Sequence, residues 1–64
     1  MNNIKSLRVA SGMSQRDLAN EMNISQQAVA RWERGDSMPR ADQLPRLADL
    51  LNCTIDALFG RDTA

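Results

Sequence analysis

A chain of 64 residues has room for one small core and no second domain, which excludes an enzyme with its own substrate-binding lobe. Eight basic residues balance eight acidic ones, His is absent and the net charge is zero, which taken alone argues against the basic footprint of a nucleic-acid binder. Cys53 is the single cysteine, so no intrachain disulfide forms, and without His no ordinary zinc set can be assembled. A chain this small buries only about 60% of its unfolded surface, so its apolar residues must nearly all serve one core. A reducing, cytoplasmic setting fits the cysteine usage. No apolar run approaches the roughly 20 residues of a membrane span, and Met1 to Gly12 lacks the apolar stretch of a signal peptide, so a soluble protein that keeps its N-terminus is expected.

Apolar spacing is helical throughout, with no alternating run long enough for a strand, and predicts an all-α fold. The first helix spans about 3–11, with Ile4, Leu7 and Ser11 on one stripe and Gly12 in the stop position. Ser14 is the expected N-cap of the second helix, with Asp17 three residues on as a near capping box and Leu18, Ala19 and Met22 inward. Asn23, the best residue after Gly for the left-handed conformation, closes it, and Ile24 plugs inward. Ser25 caps a third helix whose Val29 and Trp32 face the core and which Gly35 ends. After a loop from Gly35 to Pro39, a fourth helix buries Leu44, Leu47, Ala48 and Leu51. Pro45 cannot sit deep in it, so Ala41 to Leu44 reads as a tight first turn. Thr54 caps a short fifth helix with Ile55, Leu58 and Phe59 inward, Gly60 stops it, and 61–64 is expected to fray.

Gln15 to Arg34 packs a helix, a turn of about three residues and a second helix into twenty residues, the size of a helix-turn-helix unit. Such a corner needs a small residue where the helices touch, a left-handed residue in the turn and apolar plugs beyond it. Ala19, Asn23, Ile24, Val29 and Trp32 supply these in order. The run SQRDLANEMNISQQAVARWERG, preceded by IKSLRVASGM and followed by PRADQLPRLADLLNCTIDALFG, resembles the prokaryotic and phage helix-turn-helix family of the Cro and lambda-repressor (XRE) type over about residues 3–60. Arg8 and Gly12, Ser14-Gln15, Trp32-Glu33-x-Gly35 and Thr54-Ile55-Asp56-x-Leu58 carry the resemblance. It implies five helices in one DNA-binding domain, with the third entering the major groove. Two residues depart from the family: Asn23, where Gly is usual, and Asp36, in a loop where relatives often carry basic residues.

The third helix supports this on its own chemistry. At about 100° per residue, Gln26, Gln27, Ala30, Arg31 and Arg34 share an arc of roughly 140° opposite Ala28, Val29 and Trp32. Gln suits adenine N6 and N7, Arg suits guanine O6 and N7, and Ala30 permits close approach or contact with a thymine methyl. Gln26, Gln27, Ala30 and Arg31 are therefore the expected base contacts. Gln15 stands at a helix N-terminus, whose free amides favour a phosphate oxygen. The resemblance implies that this position touches the DNA backbone and braces the first recognition-helix residue, Gln26. Ser14, Gln15, Arg34, Ser37 and Arg40 make up the expected backbone contacts.

Arg8 borders the apolar stripe of the first helix, and Glu33 lies between the two arcs of the third, so both are poorly placed for solvation and are expected to pair, as the resemblance also suggests. Trp32 is in phase with Val29 and reads as core, and Cys53 as a buried, unreactive thiol. No nucleophile and base pair, phosphate-cradling loop or carboxylate cluster stands out, so neither an enzyme nor a cofactor or small-molecule ligand is expected. The expected function is a sequence-specific transcriptional regulator, a repressor by resemblance. A homodimer on palindromic double-stranded DNA is expected, because one helix reads only four or five base pairs and paired half-sites multiply specificity. The alternatives are an antitoxin-like protein-interaction module and the DNA-binding part of a larger regulator. Splitting the charge bears on the choice: residues 1–40 carry six basic and four acidic side chains, and residues 41–64 two and four. A mildly basic helix-turn-helix half with few phosphate-neutralising side chains predicts weak non-specific affinity and a modest salt slope.

Overall fold

A computed structural model describes residues 2–60, and the tail read above as fraying lies outside them. Five α-helices and no strand are found among the described residues: α1 Ile4–Ala10, α2 Gln15–Met22, α3 Gln26–Arg34, α4 Leu44–Leu50 and α5 Ile55–Leu58. The all-α, five-helix fold expected of the sequence is the fold observed. A 3-10 turn over Ala41–Gln43 leads into α4, where Pro45 sits in the first turn and its missing N–H deprives the helix of no bond.

Local chemistry sets the helix ends. Ser14 Oγ accepts from Asp17 N at 2.9 Å while the Asp17 carboxylate accepts from Ser14 N at 3.0 Å, so Asp completes the capping box in place of Glu. Ser25 accepts from Ala28 N and Thr54 from Ala57 N in the same way. Four helix ends share one closure: a left-handed residue (Gly12, Asn23, Gly35 or Asn52) is followed by a residue whose N–H reaches five positions back. Those bonds are Met13 to Arg8, Ile24 to Ala19, Asp36 to Arg31 and Cys53 to Ala48, at 3.0 to 3.1 Å. Asn is among the few non-glycine residues that adopt this conformation, and Asn23 at φ 57° takes glycine's usual place in the turn between α2 and α3.

The core is built from Ile4, Leu18, Ala19, Val29, Trp32, Leu47, Ala48, Leu51 and Leu58, with Leu7, Met22, Ile24, Leu44, Cys53 and Phe59 half-buried around it. α2 and α3 make the most extensive contact, with Ala19 as the small residue in the corner, and α1 packs across α3 while α4 lies against α2 and α5. Some inward assignments need correction. Ile55 is 39% exposed: it opens a helix of four residues, and Leu58 fills the core position of that turn. Ser11 is exposed as well, its hydroxyl donating to the Leu51 carbonyl at 3.4 Å at the end of α1. Leu44, which opens α4, and Cys53, three residues beyond its end, both expected to be buried, are half-buried against the core. The N-terminal residues fasten three helices together: Asn2 Nδ2 donates to the Trp32 carbonyl at 2.7 Å, and Asn3 N donates to the Leu58 carbonyl at 2.8 Å.

Candidate nucleic-acid interface

α3 is two-sided, and its burial follows its sequence. Val29 and Trp32 are buried, whereas Gln26, Gln27, Arg31 and Arg34 are exposed and Ala30 is half-buried among them. Gln27, Ala30, Arg31 and Arg34 line one shallow surface depression, so four residues of the polar arc form a continuous outward patch around a small central side chain. Two faces of opposite chemistry on one helix are what the roughly 100° step makes of QQAVARWER.

The capped start of α2 lies beside the start of α3. Gln26 Nε2 donates to Gln15 Oε1 at 3.4 Å, and Gln15 Nε2 donates to Glu33 Oε1 at 2.9 Å. Glu33 in turn accepts from Arg8 Nε at 2.6 Å and from Arg8 Nη2 at 3.3 Å, and Arg8 Nη1 donates to the Met13 carbonyl at 2.7 Å. The guanidinium fork thus joins α1, the turn after it and α3, with the two side chains only 9% and 5% exposed. Burial alone would raise the Glu33 carboxyl. Hydrogen bonds from Arg8 and Gln15, with the charges of Arg8 and Lys5, outweigh it and hold Glu33 below the ordinary glutamate range, so Glu33 is a carboxylate at neutral pH. The pairing of Arg8 with Glu33 is readable from their positions between faces, but the Gln15 link is not. Nothing in the spacing of Gln15 and Glu33 announces it, since only the angle between α2 and α3 brings them together.

The residues assigned to the DNA backbone stand at helix ends and in the loop after α3. Ser14 is exposed, and its hydroxyl, while accepting from Asp17 N, keeps its own O–H for another acceptor. Ser37 is half-buried. Arg34 and Arg40 are exposed but each has an acid beside it: Arg34 Nε lies 2.9 Å from Asp36, and Arg40 Nε lies 3.4 Å from Asp42. Sequence reasoning missed those acid partners, although both stand two residues after their arginine. The loop from Gly35 to Pro39 also leaves Met38 largely exposed while burying Pro39. No helix among the described residues is long and apolar enough to cross a membrane.

Comparison with known proteins agrees with this geometry. The sequence matches the helix-turn-helix family over residues 4–58. It is 35% identical over 54 residues to the cryptic phage CTXphi transcriptional repressor RstR of Vibrio cholerae, covering 84% of this chain and 48% of that protein. It is 32% identical over 59 residues to the transcriptional regulator ImmR of Bacillus subtilis, covering 92% and 46%. A third relative, the transcriptional activator BcrR of Enterococcus faecalis, is 29% identical over 56 residues, covering 88% and 28%. The chain thus spans less than half the length of each of these relatives. The match runs from the start of α1 to the end of α5 and takes in the capped α2, the left-handed turn and the two-faced α3; the chain belongs to the helix-turn-helix family of the Cro and lambda-repressor type.

Proposed function

We propose that residues 3–60 form a DNA-binding domain that recognises double-stranded DNA by sequence and regulates transcription, with α3 in the major groove. The observation that carries this reading is the outward patch of Gln27, Ala30, Arg31 and Arg34 on a helix whose other face is locked into the core. A helix about 10–12 Å across fits the major groove, and only a helix held rigidly from behind can offer side chains to base edges in a fixed register. In this reading Gln26, Gln27, Ala30 and Arg31 meet the bases, while Ser14, Gln15, Arg34, Ser37 and Arg40 meet the phosphates and fix the register. The relatives named repressor and regulator support a regulatory role, and the presence of an activator among them leaves the sign of regulation to the promoter context.

The functional unit is a homodimer with its two α3 helices in successive major grooves about 34 Å apart, which yields a palindromic site and the specificity that one helix lacks. The protein acts by binding, without catalysis, cofactor or small-molecule ligand, in the cytoplasm where DNA is accessible. One observation favours a protein-interaction module instead: Asp36 and Asp42 neutralise Arg34 and Arg40, two of the cations best placed for phosphates. Selection from a random duplex pool at low salt separates the two. The DNA reading expects a motif with half-sites one helical turn apart, and recovery of no preferred motif overturns it.

A further inference from the structure

The chain of hydrogen bonds from Arg8 to Gln26 has a direction, and the direction is imposed from the buried end. An ionised carboxylate only accepts, so the amide of Gln15 must turn its Nε2 toward Glu33 Oε1, 2.9 Å away. Rotated by half a turn, Gln15 would set its own oxygen against that carboxylate, two acceptors in contact with no proton between them. With Nε2 inward, Gln15 Oε1 faces outward and accepts from Gln26 Nε2 at 3.4 Å. Gln26 is left with Oε1 and one N–H that meet no partner among the described residues.

We propose that Glu33, acting through Gln15, sets which way round the Gln26 amide meets the DNA, and so selects adenine over guanine at the base pair Gln26 reads. This rests on the reading of α3 as the major-groove helix. One acceptor beside one donor complements adenine, which offers N6–H and N7, whereas guanine offers two acceptors, O6 and N7, and would face Gln26 Oε1 with O6. Were the chain reversed, Gln26 Oε1 would accept from Gln15 and its two N–H groups would suit guanine. Glu33 and Gln15 are positioning residues here: neither touches the base edge, and their effect is on its identity. The anchor is firm enough for the task, because Arg8 fixes both Glu33 oxygens and is itself tied to the Met13 carbonyl.

The test uses the whole chain and duplexes that carry its selected motif with single base-pair changes. The wild type is expected to prefer adenine to guanine at one position about tenfold, within the range of a bidentate contact, and Gln26→Ala to abolish that preference. Glu33→Gln, whose amide can also donate to Gln15, and Gln15→Ala are each expected to bring the ratio to within about twofold while preferences at the other positions stand. In the Gln26→Ala background, Glu33→Gln is expected to change the ratio no further. Should Glu33→Gln fail to fold, Gln15→Ala carries the test, because it leaves the Arg8 pair intact. Variants that fold, bind and keep the wild-type ratio, losing only affinity on all sequences alike, overturn the relay and leave the groove reading standing. Base preferences that all survive Gln26→Ala also overturn the relay alone, whereas a wild type that selects no motif overturns both.

Discussion

Two arginines meet carboxylates at the end of α3 through Nε at similar distances, Arg8 with Glu33 at 2.6 Å and Arg34 with Asp36 at 2.9 Å. The side chains of the first pair are 9% and 5% exposed, and those of the second 63% and 60%. Distance therefore says little about what either pair does. In the first, two charges have left water and depend on each other, so the pair fixes how α1 and α3 meet. In the second, water solvates both groups, and the pair adds at most about 1 kcal/mol to the fold. On the proposed reading, the exposed pair bears on charge: while Asp36 holds Arg34, one cation fewer is offered to a phosphate. The same interaction fixes geometry where it is buried and, on that reading, tunes DNA affinity where it is exposed.

Removing one buried partner is the severest way to break this contrast. Arg8→Ala leaves Glu33 a lone buried charge and is expected to cost about 3 kcal/mol or more, a large part of the stability of a domain this small, as read by urea unfolding. Replacing both residues with apolar side chains of similar volume is expected to restore most of that stability, since neither charge is then stranded. Unfolding midpoints for Arg8→Ala that match the wild type would show the pair to be as inconsequential as a surface pair.

Acid separates the two regions next. The Glu33 carboxyl is held below its ordinary range in the folded chain, so its contribution is complete above that range and is lost as pH falls through and below it. Asp17, held low by the Ser14 amide and hydroxyl, acts in the same direction. Stability is expected to fall below about pH 4.5, with a flatter acid limb in Glu33→Gln and in Asp17→Asn. With no His in the chain, stability between about pH 5.5 and 7.5 is expected to be level. A transition within that window would require a titrating group other than these carboxylates.

Much of the fold is legible in the sequence because it is local. Ser14, Ser25 and Thr54 cap the helices they precede, and Asn23 turns left-handed where the periodicity resets, since each depends on residues within four positions of itself. Pro45 likewise forces a tight turn ahead of α4 through its own ring. Ile55 departs from its expected place because inwardness in a four-residue helix depends on how the neighbouring helices cover it, which no spacing encodes. The Asn2 clamp on Trp32 and the Gln15 bond to Glu33 escape sequence reasoning for the same cause, since they span 30 and 18 residues and exist only once the helices are assembled. At the candidate interface, the polar arc of α3 can be read from the sequence, whereas the acids that shield Arg34 and Arg40 become visible only as distances.

The exposed pair predicts the smallest change in stability. Asp36→Asn is expected to shift unfolding by less than about 0.5 kcal/mol, while the freed Arg34 strengthens binding to all duplexes and steepens the salt dependence by about one phosphate contact. An unchanged salt slope would place Arg34 away from the DNA backbone.

The measurement that bears most directly on the central claim compares the sequence preferences and salt slopes of wild type, Gln27→Ala and Arg40→Ala on the same duplex pool. If α3 reads bases while the following loop holds phosphates, Gln27→Ala changes which bases are preferred, and Arg40→Ala weakens every sequence alike with a shallower slope. Uniform loss on every sequence for Gln27→Ala would contradict the account.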